Sequence, residues 1–248
     1  MIEEFTKYVS SYNMENEKVR LKYNHSFRVM EQSVNIANSL KLDETDKELA
    51  RLIGLLHDFG RFEQLKVYNT YDDSKSIDHA DYSVNVLFNK GQIRNYIKDN
   101  SYDSIIRTAI KNHNKFAIEG DLTGKKLLHS KIVRDADKID ILYLVTELKK
   151  IVIQDSEDEI TKEVIEQFNN KSTISNTNIK HMNDRIISYL SFVYDVNYTY
   201  TIKYLLNLKI MEKFYQLINN KERFKPYFEE VNKYMVNFIK EGELNVKF

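Results

Sequence analysis

A single proline, Pro226, and six glycines are spread through this 248-residue chain. Proline removes a backbone donor and clashes inside a helix, and glycine carries the largest ordering cost there. A chain so poor in both has few forced stops. That predicts long helices and argues against a turn-rich β architecture. The apolar spacing agrees. Residues 24–40 place Phe27, Met30, Val34, Ala37 and Leu40 on one helical face, and residues 46–58 repeat the pattern with Leu49, Leu52, Ile53 and Leu56. Gly60 reads as the stop after that second helix.

Further along, 61–77 is polar and irregular and reads as a loop, its Tyr71-Asp72-Asp73-Ser74 cluster above all. Ser76 is the expected cap of a helix at about 77–89. Helices are also expected at about 102–113 and 126–153. Ser156-Glu157-Asp158-Glu159 has the form of a capping box opening a short helix. Residues 169–178 read as a polar surface loop, and 181–219 as strongly apolar and aromatic sequence. A last helix is expected at about 226–241, with Pro226 in its first turn. No internal repeat or long linker interrupts the pattern, so the expectation is one all-α domain over residues 1–248.

Composition narrows the chemistry. With no cysteine the chain has no disulfide, thiolate zinc site or cysteine nucleophile. Its 37 basic and 37 acidic residues balance, which gives no electrostatic case for nucleic acid or an anionic membrane as partner. Met1-Ile2-Glu3-Glu4 leads into polar sequence, so no secretory leader is expected. No stretch approaches the roughly 18 consecutive apolar residues of a membrane span. A cytoplasmic protein is the expectation.

The chemically informative residues are a series in the first 140 positions: His25, His57-Asp58, His79, His113 and Asp137. Only six histidines occur, and four fall in this series. Each member stands on or near the end of an apolar-faced segment. A carboxylate such as Asp137, sharing a stripe with Val133, Ile141 and Leu144, needs a partner, because an unpaired buried charge is very costly. Neutral imidazole and carboxylate form a ligand set suited to Mn, Fe, Zn, Co or Mg. The reading is a metal site built between helices.

The order and the surrounding phrases resemble the HD-domain superfamily of metal-dependent phosphohydrolases. They are Gly54-Leu55-Leu56-His57-Asp58-Phe59-Gly60-Arg61, Asp78-His79-Ala80, Ile110-Lys111-Asn112-His113-Asn114 and Asp135-Ala136-Asp137-Lys138. The resemblance covers about residues 20–145 and leaves a C-terminal helical part, about 155–248, without a family reading. It implies an all-helical bundle with one or two divalent ions. By position, His25, His57, Asp58 and Asp137 would hold the first ion. Asp58 would bridge to a second ion, completed by His79 and His113. The activity implied is hydrolysis of a small nucleotide or another phosphate ester by a metal-activated water.

Subfamily phrases are missing. His113-Asn114-Lys115-Phe116 is not followed by the Gly-Tyr-Pro of cyclic-di-GMP phosphodiesterases. Arg61-Phe62 stands where ppGpp hydrolases carry a Glu-Asp pair, and the longer phrase of the deoxynucleotide triphosphohydrolases is absent. An alternative is an HD-fold diiron oxygenase resembling inositol oxygenase, since the same ligands suit iron.

Among flanking residues, Arg61 and Lys115 join Asp58 as candidate catalytic residues through neutralisation of phosphate charge. The competing reading of Arg61 is a salt bridge to Glu63. Asp135 is the alternative to Asp137 as ligand, and with Asp140 it is otherwise a candidate to orient ligand histidines. Lys138 reads as a partner of Asp135 or Asp140. His129 and His181 fall outside the series as surface or structural residues. Tyr189, Tyr194, Tyr198, Tyr200 and Tyr204 read mostly as core or groove.

Overall fold

A computed structural model describes residues 1–244. It is 69% helical, with no strand among the described residues. The all-α expectation holds. The chain divides into two compact units, Met1–Asp137 and a second beginning at Lys138.

The first unit holds α1 (Ile2–Ser10), α2 (Glu17–Ser39), α3 (Glu44–Leu56), α4 (Arg61–Tyr68), α5 (His79–Val84), α6 (Asp103–Asn112) and most of α7 (Gly124–Thr146). Side-chain caps set several starts: Asn16 accepts from the Lys18 amide, and Asp43 from that of Asp46. α2 and α3 lie against each other at Gly54, where a Cβ would come within 2.8 Å of the Met30 Cα. α1 buries Phe5 and Val9, and Tyr8 stacks on Phe59 with ring centroids 3.8 Å apart.

Four sequence expectations in this unit change. Residues 61–68 are helical because Phe62 and Leu65 bury one face of α4, with Gln64 fully buried beside them. Gly60 is the N-cap of α4 rather than a helix stop, with an ordinary right-handed backbone. Glycine is required there by close approach: a Cβ would lie 2.8 Å from the His79 carbonyl and 2.9 Å from the Ser83 amide. Asp78, not Ser76, caps α5, accepting from the amides of Ala80 and Asp81. That helix is short and passes into a π turn at Asn85–Asn89.

α7 ends at Thr146, earlier than its apolar stripe suggests. In the second unit α8 (Lys162–Asn169), α9 (Met182–Leu190), α10 (Thr199–Asn207), α11 (Ile210–Gln216) and α12 (Lys221–Leu244) follow. The expected capping box at Ser156–Glu159 opens no helix. Asn183 instead accepts from the Ser156 amide and donates to the Ser156 and Asp158 carbonyls, holding that stretch outside helical geometry. Asp184 accepts from the Thr161 amide and hydroxyl and from the Lys180 amide. Pro226 lies inside α12, beyond the first turn, where it removes the donor to the Glu222 carbonyl. Tyr194 lines a cavity of about 360 Å³ with Phe168 and Tyr227.

Candidate metal centre

The six residues of the series converge in the first unit. His25 lies within α2, His57 ends α3, Asp58 follows in the turn to α4, His79 opens α5, His113 ends α6, and Asp137 lies on α7. Helix ends make this possible. His57 and Asp58 are adjacent and would diverge along a helix, but in a turn their Nε2 and Oδ2 atoms come within 3.5 Å. The four histidines are at most 3% exposed and Asp58 is 2% exposed.

Asp58 lies between two histidine pairs. Its Oδ2 is 3.4 Å from His25 Nε2 and 3.5 Å from His57 Nε2. Its Oδ1 is 3.2 Å from His79 Nε2 and 3.5 Å from His113 Nε2. Asp137 Oδ1 closes the first group, 3.2 Å from His25 Nε2 and 3.7 Å from His57 Nε2. Within the pairs, Nε2 faces Nε2 at 3.1 Å for His25 and His57, and at 2.9 Å for His79 and His113.

The far ring nitrogens fix the tautomers. His57 Nδ1 is 2.8 Å from the Gly54 carbonyl and His113 Nδ1 is 2.7 Å from the Ile110 carbonyl. A carbonyl only accepts, so each Nδ1 carries the proton and each Nε2 a lone pair. His79 Nδ1 faces Asp73 Oδ2 at 2.5 Å with the same result. The facing Nε2 atoms of His79 and His113 are therefore two lone pairs with no proton between them. A cation relieves that repulsion. The donor set fits a divalent metal, and His25-His57-Asp58 and Asp58-His79-His113 each bring ligand atoms close enough to hold one.

Electrostatics keep the groups in ligand form. Burial works against the Asp58 charge. The Lys22 ammonium foremost nonetheless holds its carboxyl well below the usual range. Contact with His25 foremost likewise outweighs burial at Asp137. Burial, chiefly, lowers the pKa of His57, and lowers that of His79 to about 4 with help from the Arg61 charge. Both rings are neutral at pH 7.

A third acidic group, Asp73-Asp78-His79, also stands close together. The protein's own cations already serve it. Arg61 Nη1 donates to Asp73 Oδ1 at 2.7 Å, and also to Gln64 Oε1 and the Tyr71 carbonyl. Lys115 Nζ lies 2.8 Å from Asp78 Oδ2 and 3.0 Å from Asp81 Oδ2. The acidic neighbours of Arg61 are thus Asp73 and, at 3.5 Å, Asp58. Glu63, the partner in the competing reading, accepts from Tyr12 instead. Lys138 pairs with Asp195 at 2.6 Å, a partner the sequence reading did not name. Asp135 and Asp140 are buried. His129 is fully buried 3.1 Å from Asp46, and His181 lies 3.5 Å from Asp184.

Supporting residues complete the centre; of these the sequence offered Gln64 as a weak candidate only, and Arg134 and Lys22 in this role not at all. Gln64 Nε2 donates to Asp73 Oδ1, Ser76 Oγ and the Ile77 carbonyl, pinning the loop that carries Asp73. Arg134, 2% exposed on α7, donates to the carbonyls of Asn112, His113 and Lys115 and so caps the end of α6 that presents His113. Lys22, one turn before His25, lies 2.6 Å from Asp58 Oδ2. Only the i−3 spacing of Lys22 from His25 was visible as a signal.

Residues 23–142 match the family model of the HD domain, a stretch that contains all six residues of the series. The chain carries an HD domain, a fold of a superfamily that is in general one of metal-dependent phosphohydrolases. No curated protein and no solved structure matches the chain. No helix among the described residues is long and apolar enough to cross a membrane.

Proposed function

We propose that this protein is a metal-dependent phosphohydrolase that cleaves a small nucleotide or another phosphate ester with a metal-activated water. One observation carries the reading: the buried Asp58 turns one oxygen to each of two histidine pairs. In this reading His25, His57, Asp58 and Asp137 hold one divalent ion, and Asp58, His79 and His113 a second. Ions so held supply an acidified water and neutralise charge on phosphoryl oxygens.

The chain's own residues prepare that chemistry. Backbone carbonyls and Asp73 hold the protons of three rings on Nδ1, which keeps Nε2 free to ligate. Burial keeps the His57 and His79 rings neutral, the form that binds metal. Arg61 keeps Asp73 behind His79 and adds positive charge beside Asp58. Lys115 acts at one remove, by holding Asp78, the cap of the helix that His79 opens. Mn, Fe, Zn, Co and Mg all suit the ligands.

Metal analysis of anaerobically purified protein, paired with a panel of nucleotides and phosphate esters, tests the reading. About two divalent ions per chain and metal-dependent release of phosphate are expected. Iron-rich protein that consumes oxygen and releases no phosphate would show the diiron oxygenase alternative to be correct.

A further inference from the structure

Two cations stand against Asp58, and they are held differently. Arg61 is committed: its Nη1 serves three acceptors at 2.7 Å, and through Asp73 it braces His79. Pulling it away would loosen the loop from Tyr71 to Ile77. Lys22 reaches Asp58 Oδ2 at 2.6 Å from α2, and its side chain keeps 17% exposure where that of Asp58 keeps 3%. An ammonium on a four-carbon stem swings at little cost, unlike a guanidinium fixed on several acceptors.

Lys22 stabilises the Asp58 charge while no cation is bound, but its position becomes costly once one is. It places a positive charge on the very oxygen that faces His25 and His57, where a bound cation would repel it. An anion entering beside it would offset that repulsion. Tyr71 frames the place. Its ring lies 5.8 Å from Lys22 Nζ and 5.7 Å from the Arg61 guanidinium carbon, and its hydroxyl donates to the Lys18 carbonyl on α2. Beside Asp58 therefore stand one fixed cation and one movable cation, with an aromatic ring near both.

We propose that Lys22 receives the anionic phosphoryl group of the substrate, leaving Asp58 as the anion enters. This rests on the phosphohydrolase reading above and adds a substrate-contacting residue to it. The ligand class is a phosphate monoester or diester with its negative charge facing α2.

The test compares wild type, Lys22→Met and Lys22→Arg, each loaded with manganese. It measures hydrolysis of p-nitrophenyl phosphate and its bis ester, binding of inorganic phosphate by calorimetry, and metal content. Lys22→Met is expected to raise KM and the phosphate Kd about tenfold or more, the loss of one charge-assisted contact. Its metal content stays at the wild-type level or its metal affinity tightens, since a like charge has been removed. Lys22→Arg restores most of the phosphate affinity. If Lys22→Met loses metal or thermal stability while its phosphate Kd is unchanged, Lys22 is only the structural partner of Asp58 and the proposal is wrong. Unchanged KM and Kd with full metal content overturn it equally. A wild type that neither hydrolyses nor binds phosphate removes the phosphohydrolase reading, and this proposal with it.

Discussion

Asp73 shows how much of a metal-type site lies outside its ligands. Its Oδ2 is 2.5 Å from His79 Nδ1, while its Oδ1 accepts from Arg61 and Gln64. Those bonds, with the Arg61 charge, hold its carboxyl well below the ordinary range although burial pushes the other way. Asp73→Ala should weaken binding at the His79-His113 group by about 10–100-fold, the usual cost of losing an orienting partner. Metal titration would show one ion weakened and the other retained, whereas equal loss of both would mean that Asp73 supports the whole turn. The lowered pKa of His79 gives a second prediction. The unfolded histidine takes its proton near 6.5 and the folded one only near 4, so between these values the unfolded state binds more protons. This contribution to the stability of the metal-free protein is fully present above about pH 6.5 and is lost as pH falls towards 4. Denaturant melts across that range, compared with those of His79→Gln, read it directly. Of this network His79 and Arg61 were legible in the sequence, though Arg61 was read there as a phosphate contact rather than as a brace for Asp73. Ligand types announce themselves, but Asp73 and Gln64 are ordinary loop and helix polars until the fold brings them within reach.

At the scale of elements, the centre depends on where helices stop. His57, His79 and His113 all stand at ends, and each end is held by a specific device: a carbonyl contact at Gly54, the Asp78 cap, and the Arg134 guanidinium. Gly60→Ala is the sharpest test. The added Cβ would meet backbone, the His79 carbonyl at 2.8 Å, so α5 must shift rather than a side chain turn aside. A loss of about 1–3 kcal/mol in stability is expected, together with weaker metal binding at the His79-His113 group. A variant with native stability and full metal content would mean that α5 moves freely. Asp78→Ala should cost about 0.5–2 kcal/mol as a lost cap. Periodicity exposed α2, α3 and α6 well because their buried stripes are long. It failed at α4, where eight residues carry a buried glutamine on the apolar face, and at Ser156–Glu159, where side chains of α9 outcompete a local capping pattern.

Across the molecule, the ligand series is confined to the first unit, while the role of the second was not revealed by the sequence. The all-helical class was legible because proline and glycine are scarce. The function of the second unit was not, since apolar and aromatic stripes specify burial without chemistry. Metal linkage turns this asymmetry into a prediction. A ligand that binds only the folded state adds about 2.7 kcal/mol at a hundred times its Kd. For a chain of this size each kcal/mol moves Tm by roughly 2–4 °C. Chelation of the loaded protein should therefore lower Tm by about 5–10 °C per ion at that saturation. Asp58→Asn should abolish most of that shift, because its two oxygens face both histidine pairs. His79→Ala should abolish only about half of it. Calorimetry with and without chelator measures all three proteins. If Asp58→Asn kept the full chelator-sensitive shift, the two groups would not share a ligand, and the bridged centre would be wrong.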